Sequence, residues 1–405
     1  MEPALIIIIF AIVAAYFIIT YKPKQEDDLK DLYSEGLDLM VDGYKQGAYE
    51  NFKKIIAQDT TNVKAYIKLG QVIREGGNPE NALKIHTQLN YRKNLSFYER
   101  KELYKNIALD YDSIGKIDEA IIYCKKILEI DKQNSWSLSK LIELYQSKKD
   151  WFNSKKYLEL KLQYSSKKDS HLLALYKIQE GRNFLSEKNF EDSRKCFMES
   201  IDICDKVAIA YYFIGNSFSQ ESDSVYKYAE SLNTTDVDTQ KEHDENISKA
   251  KELLDEAISM WVSYGKLRPE SSWMVIHLLK DALFALDRYN EIEIILKEIL
   301  DKDSDNVDVI ASLADYYDHL GDSSSALDII DKGLKKDDSS LLVRLIKLKL
   351  LSSTNSSNQD NLKRELDVLI KSLVEDSDYQ VYKNTSTDND ALWLYSMSND
   401  KESDE

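Results

Sequence analysis

Residues 65–89 read "AYIKLGQVIREGGNPENALKIHTQL", and their spacing decides how the rest of the chain is read. Gly70 is followed by Ile73 three residues on, Gly77 seven on and Ala82 twelve on. Residues 104–128, "YKNIALDYDSIGKIDEAIIYCKKIL", keep these intervals with Ala108, Tyr111, Gly115 and Ala120. The series recurs upstream as Gly36, Leu39, Gly43 and Ala48, and downstream as Ala314, Tyr317, Gly321 and Ala326. Each residue type has a physical reason. A small residue lets a second helix approach closely, a large apolar one fills the gap, and the alanine repeats the close approach from the other side. The intervening glycine tolerates the left-handed turn in which a helix commonly ends.

A recurrence of about 34 residues with this pattern is that of the tetratricopeptide repeat, two antiparallel helices per unit. Ala82 follows Ala48 at that period, and Ser154 follows Ala120. The steps from Ala82 to Ala120 and from Ser154 to Ser193 are four and five positions longer. If the first small residue is position 8 and the alanine position 20, units fall at 29–61, 62–96, 100–133, 135–167, 174–206 and 307–340. A further unit at 207–267 is split. Gly215 holds position 8 and Ala250 is assigned position 20, but they lie much further apart than the usual twelve positions. That implies an insertion near 221–245, polar and acidic, read as a solvated surface loop or a lengthened helix pair. A weaker helical pair covers 272–301, and "NLKRELDVLIKSLV" follows a Ser/Asn-rich break as a final amphipathic helix. Such a helix would cap the open end of the stack.

Composition agrees. Only 12 Gly and 4 Pro occur in 405 residues, as suits an almost wholly helical protein. The expected fold is all-α, a tetratricopeptide-repeat superhelical solenoid with one N-terminal transmembrane helix. Residues 1–24 would form the anchor, 25–340 the repeats, 341–375 the capping helices and 376–405 a polar acidic tail.

The anchor reading rests on Ala4–Tyr21, an apolar stretch without a single charge. As a helix this stretch would be ~27 Å long, near the thickness of a bilayer's hydrocarbon. A cleaved signal peptide is the competing reading, but the start carries Glu2 and no basic residue, and "FIITYKPK" has no Ala-x-Ala step. Lys22 and Lys24 follow the span directly, which places the bulk of the chain in the cytoplasm.

Seventy-one acidic against 54 basic residues give a net charge of −17, which disfavours nucleic acid as a partner. Cys124, Cys196 and Cys204 show no CxxC spacing and are expected to be small buried side chains in a reducing compartment. His86, His171, His243, His277 and His319 are scattered. His86, at position 24 of its repeat, is expected to be a satisfied core or edge histidine. No HExxH, GxSxG, Walker or GxGxxG motif is present. The chain is therefore expected to be no enzyme, with no catalytic, cofactor-binding or metal-binding residues and no cofactor.

Binding of proteins remains, because stacked helix pairs form a long concave surface. Positions 2, 5, 6, 9 and 12 of each first helix are expected to line it. They include Lys64, Lys68, Gln71, Arg74, Lys105, Asn106, Asp112, Trp136, Lys140, Glu143, Tyr212 and Asn216. The face is mixed in sign, with no regular clamp for a C-terminal carboxylate. A homo-oligomer is compatible with the pattern.

The N-terminal span running into repeats, with Leu69-Gly70, Arg74, Gly77, Ala82, Ile85-His86 and Leu89, resembles the lipopolysaccharide assembly protein B family (LapB, also called YciM). Leu95, Arg100, Leu109-Asp110-Tyr111, Gly115, Asp118 and Ala120 extend the resemblance. It implies an adaptor of the bacterial inner membrane, single-pass and facing the cytoplasm. Such an adaptor recruits the deacetylase LpxC to the membrane protease FtsH and so regulates lipopolysaccharide biosynthesis. A generic membrane-tethered scaffold with another protein client, such as an envelope assembly factor or import receptor, is the alternative. The chain departs from the family at one place. The family ends in a zinc knuckle with two CxxC pairs, whereas "YQVYKNTSTDNDALWLYSMSNDKESDE" has no cysteine or histidine. Trp393, Leu394 and Tyr395 are read either as docking on the last repeats or as marking a degenerate tail.

Overall fold

The computed structural model describes residues 28–233, 236–336 and 341–352, together with positions 366, 367, 369–371, 374, 390, 393 and 394. Every regular element among them is helical. The chain divides into two compact units. The first carries α1 (28–41), α2 (Lys45–Gln58), α3 (Val63–Glu75), α4 (Pro79–Asn90), α5 (Phe97–Ser113), α6 (Ile117–Ile130) and α7 (Ser135–Ser147). Helix α8 (Trp151–Tyr164) gives its start to the second unit and the rest to the first. The second unit continues with α9 (Ser170–Ser186), α10 (Phe190–Ile203), α11 (Ile209–Ser231) and α12 (Val237–Leu267). It ends with α13 (Trp273–Ala285), α14 (Ile292–Leu300), α15 (Val307–His319), α16 (Ser323–Lys336) and α17 (Leu341–Ser352).

The helices begin and end where local chemistry dictates. Asn62, Asn78, Asn134, Asn189 and Asn306 each accept an N–H of the first turn through the side chain. Ser96 and Glu99 satisfy each other's backbone N–H in a reciprocal capping box. First helices end alike. The N–H of Gly77 donates to the Arg74 carbonyl at 2.9 Å and that of Asn78 to the Ile73 carbonyl at 3.1 Å. The same pair of bonds recurs around Gly43, Gly115, Lys188, Asp287 and Gly321. The glycines have φ near +80°, as the turn requires, but Lys188 (60°) and Asp287 (58°) hold the same left-handed conformation, and so does Lys149 (56°). Counted along the repeat, Lys149 and Lys188 stand where the earlier units carry Gly43, Gly77 and Gly115.

In four of the repeats the two helices meet at a ring laid over a glycine. A side-chain carbon on Gly70 would come within 2.3 Å of the His86 ring. On Gly181 it would meet Phe197 at 2.6 Å, on Gly215 Trp261 at 2.5 Å, and on Gly36 Phe52 at 3.0 Å. Ala48, Ala82, Ala120, Ser154, Ser193 and Ala326, all at position 20, are fully buried. Burial of each large ring supplies about 1.5–3 kcal/mol, so this contact is a main source of pair stability.

The split repeat differs from the sequence reading. Phe52, His86 and Phe197 each stand four positions after the small residue at position 20 of their repeat. Trp261 is the ring over Gly215, so the alanine at position 20 is Ala257, and the insertion is seven positions longer than Ala250 implied. Ala250 lies two turns earlier along the same face of α12 and is also buried. Most of the described inserted residues are helical. They lengthen both helices, α11 to 23 residues and α12 to 31. Ser222 ties the added turns together by donating to the Ala250 carbonyl at 2.6 Å.

At the far end of the second unit, α17 buries Leu342, Val343, Ile346 and Leu350 against α15 and α16, and Ile370 and Val374 pack on the same cluster. A chain of ion pairs stitches this end. Asp315 on α15 accepts from Lys280 on α13 and from Lys349 on α17, and Lys349 also reaches Asp367 at 2.7 Å. Burial pushes the Asp315 carboxyl up, but the two lysine charges outweigh it and hold it down to about 2. Among the described residues no helix is long and apolar enough to cross a membrane. The expected anchor at Ala4–Tyr21 lies outside the described residues.

The left-handed turns give a stability test. A side chain in that conformation costs about 1–2 kcal/mol, of which glycine's extra chain entropy returns about 0.5–1 kcal/mol. Lys188→Gly should therefore raise the urea-unfolding free energy by roughly 0.5–1 kcal/mol, and Gly77→Ala should lower it by about 1 kcal/mol. A loss of stability in Lys188→Gly would contradict the assignment.

Candidate protein-interaction site

In the first unit most of the expected groove residues are engaged with neighbouring side chains. Lys68 donates to Gln71 at 2.9 Å, and Gln71 donates to Glu75 at 2.8 Å. The Lys105 ammonium lies over the Trp136 ring at 5.1 Å, a cation–π contact. Lys140 bridges Asp112 at 2.7 Å and Glu143 at 3.0 Å. Burial pushes the Lys140 ammonium down, yet these two carboxylates hold it above its ordinary range. Lys64 is exposed on α3.

Arg74 and Asn106 belong instead to the interior. Arg74 donates to Asp110 at 2.8 Å and to Asn106 at 3.3 Å, joining α3 to α5. Asp110 is fully buried, and its other oxygen meets His86 Nδ1 from α4. The His86 Nε2–H donates to the Ile67 carbonyl at 3.1 Å. His86 is thus a satisfied core histidine, as its position foretold. It stands where the sister repeats carry Phe52, Phe197 and Trp261, and the polarity added by the imidazole is matched atom by atom. Gly70, Arg74, His86 and Asp110, four residues that carry the family resemblance, form one buried contact set across the second and third repeats.

In the second unit, Tyr212 packs edge-on to Phe213 at 5.1 Å, and Asn216 accepts from Trp261 Nε1 at 3.0 Å. Both serve the core of the split repeat. The groove face of the fifth repeat, which sequence reasoning passed over, is the more informative one. With Gly181 at position 8, Gln179 and Arg182 of α9 hold positions 6 and 9, the same places as Lys68 and Gln71. Both donate to the Leu394 carbonyl at 2.9 Å. Leu394 is buried in the main core cluster, and Trp393 lies 5.2 Å from the Tyr176 ring, which meets Trp151 edge-on. Asp390 pairs with His171 at 2.7 Å, with Arg268 4.0 Å away. Trp393 and Leu394 therefore dock on the fifth repeat, not on the last ones. Applying the register of positions 6 and 9 to α9 would have flagged Gln179 and Arg182, but no sequence signal pairs them with residues near the other end of the chain.

Cys124 and Cys196 are buried as expected. Burial pushes the Cys124 thiol up to about 12, far from a reactive thiolate. Cys204 is only half-buried and lies 3.8 Å from His171 Nδ1. Against the upward push of burial, His171 and the Lys206 backbone hold its thiol below the ordinary value. Among the described residues no group of three or more His, Cys, Asp or Glu is placed to hold a metal ion.

A family model described as tetratricopeptide repeat matches residues 102–134. Over 130 residues the chain is 23% identical to lipopolysaccharide assembly protein B of Escherichia coli strain K12, and the counterpart in Escherichia coli O157:H7 gives the same values. The match covers 32% of this chain and spans about a third (33%) of those relatives' length. Among solved structures, that of MamA aligns with TM-score 0.33 and 17% identity, over 44% of this chain and 92% of that one. A tetratricopeptide protein from Parabacteroides merdae aligns with TM-score 0.30 and 12% identity, over 92% and 97%. The chain carries tetratricopeptide repeats, is all-helical in the regular elements of its described residues, and is similar over about a third of its length to lipopolysaccharide assembly protein B.

Two outcomes follow from these contacts. Asp110→Ala leaves a buried arginine without its carboxylate and should cost about 3–5 kcal/mol in urea unfolding. His86→Phe keeps a ring over Gly70 and should cost about 1–3 kcal/mol, because one Asp110 oxygen loses its donor. Equal losses would contradict the network. The second outcome concerns pH. Burial lowers the His171 imidazole, but Asp390 and Cys204 outweigh it and hold it above its ordinary value. A histidine raised in the folded state contributes stability that is present below its unfolded pKa and lost as pH rises through the folded one. The stability gap between the native chain and Asp390→Asn should therefore narrow from about pH 6 to about pH 8. A gap that widens over that interval would contradict the pairing.

Proposed function

We propose that this chain is a membrane-anchored adaptor that regulates lipopolysaccharide biosynthesis by bringing an LpxC-like deacetylase to an FtsH-like membrane protease. Tetratricopeptide repeats are protein-binding scaffolds, and the anchor, the pathway and the identity of the client are the steps proposed. The observation that carries it is the Arg74–Asp110–His86 network. Four of the residues on which the family resemblance rests, Gly70, Arg74, His86 and Asp110, are partners in one contact set. Such a set fixes how the second and third repeats sit on each other, and so the shape of the charged face that α3, α5 and α7 present. The similarity to lipopolysaccharide assembly protein B supports the same reading.

In this proposal Ala4–Tyr21 spans the inner membrane and Lys22 and Lys24 keep the repeats in the cytoplasm. The tether confines the binding face to the plane of the protease, raising its effective concentration to the order of millimolar. Lys64, Lys68, Gln71, Lys105, Trp136 and Lys140 would then meet the client, with Asp112 and Glu143 setting the charge of the face and Arg74 and Asn106 supporting it from beneath.

Depleting the protein in its host should raise the abundance of the deacetylase and of lipid A. A chain lacking residues 1–21 should fail to restore turnover at native expression and recover partly when overproduced. Unchanged deacetylase levels on depletion would end this reading, and a membrane pull-down would then name the client of a different scaffold.

A further inference from the structure

The concave side of the fifth repeat holds something already. Asp390, Trp393 and Leu394, spaced as neighbours on one helical face, contact α9, the first helix of that repeat, from near the end of the chain. The contacts have the make-up of linear-motif recognition. An aromatic anchor, Trp393, sits against Tyr176. An aliphatic one, Leu394, enters the core. A backbone carbonyl is gripped by two side-chain donors, Gln179 and Arg182, and a carboxylate is read by His171. The donors occupy the register positions that face the concave surface in this architecture. Arg182 also lies over the Phe213 ring at 5.2 Å and donates to Gln179 at 2.9 Å, so the grip is held in place by packing as well as by the segment itself.

We propose that this face of the fifth repeat is a recognition site for a short acidic–aromatic segment of the form Asp-x-x-Trp-Leu, filled in cis by Asp390, Trp393 and Leu394 and open to a partner segment of that pattern when these leave. The site has the charge for such a ligand. His171, Arg182 and Arg268 surround the place taken by Asp390 and the Leu394 carbonyl, whereas the chain as a whole is acidic. An acidic motif is thus drawn to a local basic patch on a repelling surface, which favours one docking place over others. The arrangement makes the C-terminal segment a competitor of the partner, so that the intramolecular contact sets a threshold the partner must exceed. This goes beyond the adaptor reading and does not depend on the client's identity.

The test uses the full chain and a labelled peptide of residues 387–397, TDNDALWLYSM. The Trp393→Ala/Leu394→Ala chain should bind the peptide saturably in fluorescence anisotropy, at least tenfold more tightly than the native chain, whose site is filled. Adding Arg182→Ala should weaken that binding at least tenfold. A folded double variant that does not bind the peptide would overturn the proposal. Hydrogen exchange on the native chain covers the case in which the variant does not fold. Amides of 390–397 should exchange at least a hundredfold faster than those of α9, because the segment leaves without the unit unfolding. Exchange of both only at the global rate would show the segment to be a fixed part of the core and would overturn the site. Sedimentation that gives a dimer lost in Trp393→Ala would place a second copy's segment there and overturn occupation in cis.

Discussion

The contact on which four of the repeats depend is a ring from the second helix pressed on a glycine of the first. Glycine removes the side chain that would hold two helix axes apart, and the ring fills the space it leaves. Phe52, His86, Phe197 and Trp261 all make this contact, at one fixed interval after their glycines except where the long insertion intervenes. The small residues at position 20 permit the same approach from the opposite helix. With the crossing set, the outer faces can vary, and in this chain they vary widely in charge without disturbing the pair.

One ring among these is polar. An imidazole buried over Gly70 demands partners for both nitrogens, which apolar packing cannot supply. Asp110 and the Ile67 carbonyl supply them, and Asp110 in turn requires Arg74. A single substitution from the phenyl pattern thus binds α3, α4 and α5 into one polar unit. Such a network is less a source of stability than a constraint on geometry, since apolar side chains replacing the whole set would serve stability as well. The second unit uses a related grip in a different way. There, donors on α9 act on the Leu394 backbone carbonyl rather than on a neighbouring repeat.

Much of this architecture is legible in the sequence because the close crossings need small residues at fixed intervals, and small residues stand out. Gly36, Gly70 and Ala82 mark their repeats without ambiguity. The register failed once, at Ala250, because seven residues are two helical turns and Ala250 and Ala257 look alike from a periodic pattern. Lys149 and Lys188 were silent as well, since lysine carries no sign of the left-handed turns in which they sit. Groove residues were harder. Arg74 and Asn106 fit the pattern of a wet surface, and only the buried Asp110 explains why they turn inward. The docking of Asp390, Trp393 and Leu394 was beyond reach, because no periodicity links a tail to a helix so far upstream.

The glycine–ring contact can be tested by a double-mutant cycle on Gly181 and Phe197, followed by urea unfolding of the two single variants and the double. Gly181→Ala brings a side-chain carbon into the Phe197 ring and should cost roughly 1–3 kcal/mol. Phe197→Leu withdraws the ring and should make room for that carbon, so the double variant should be more stable than the sum of the singles predicts, by more than about 1 kcal/mol. Additivity within about 0.5 kcal/mol would show that the two residues do not share a contact and would contradict the account.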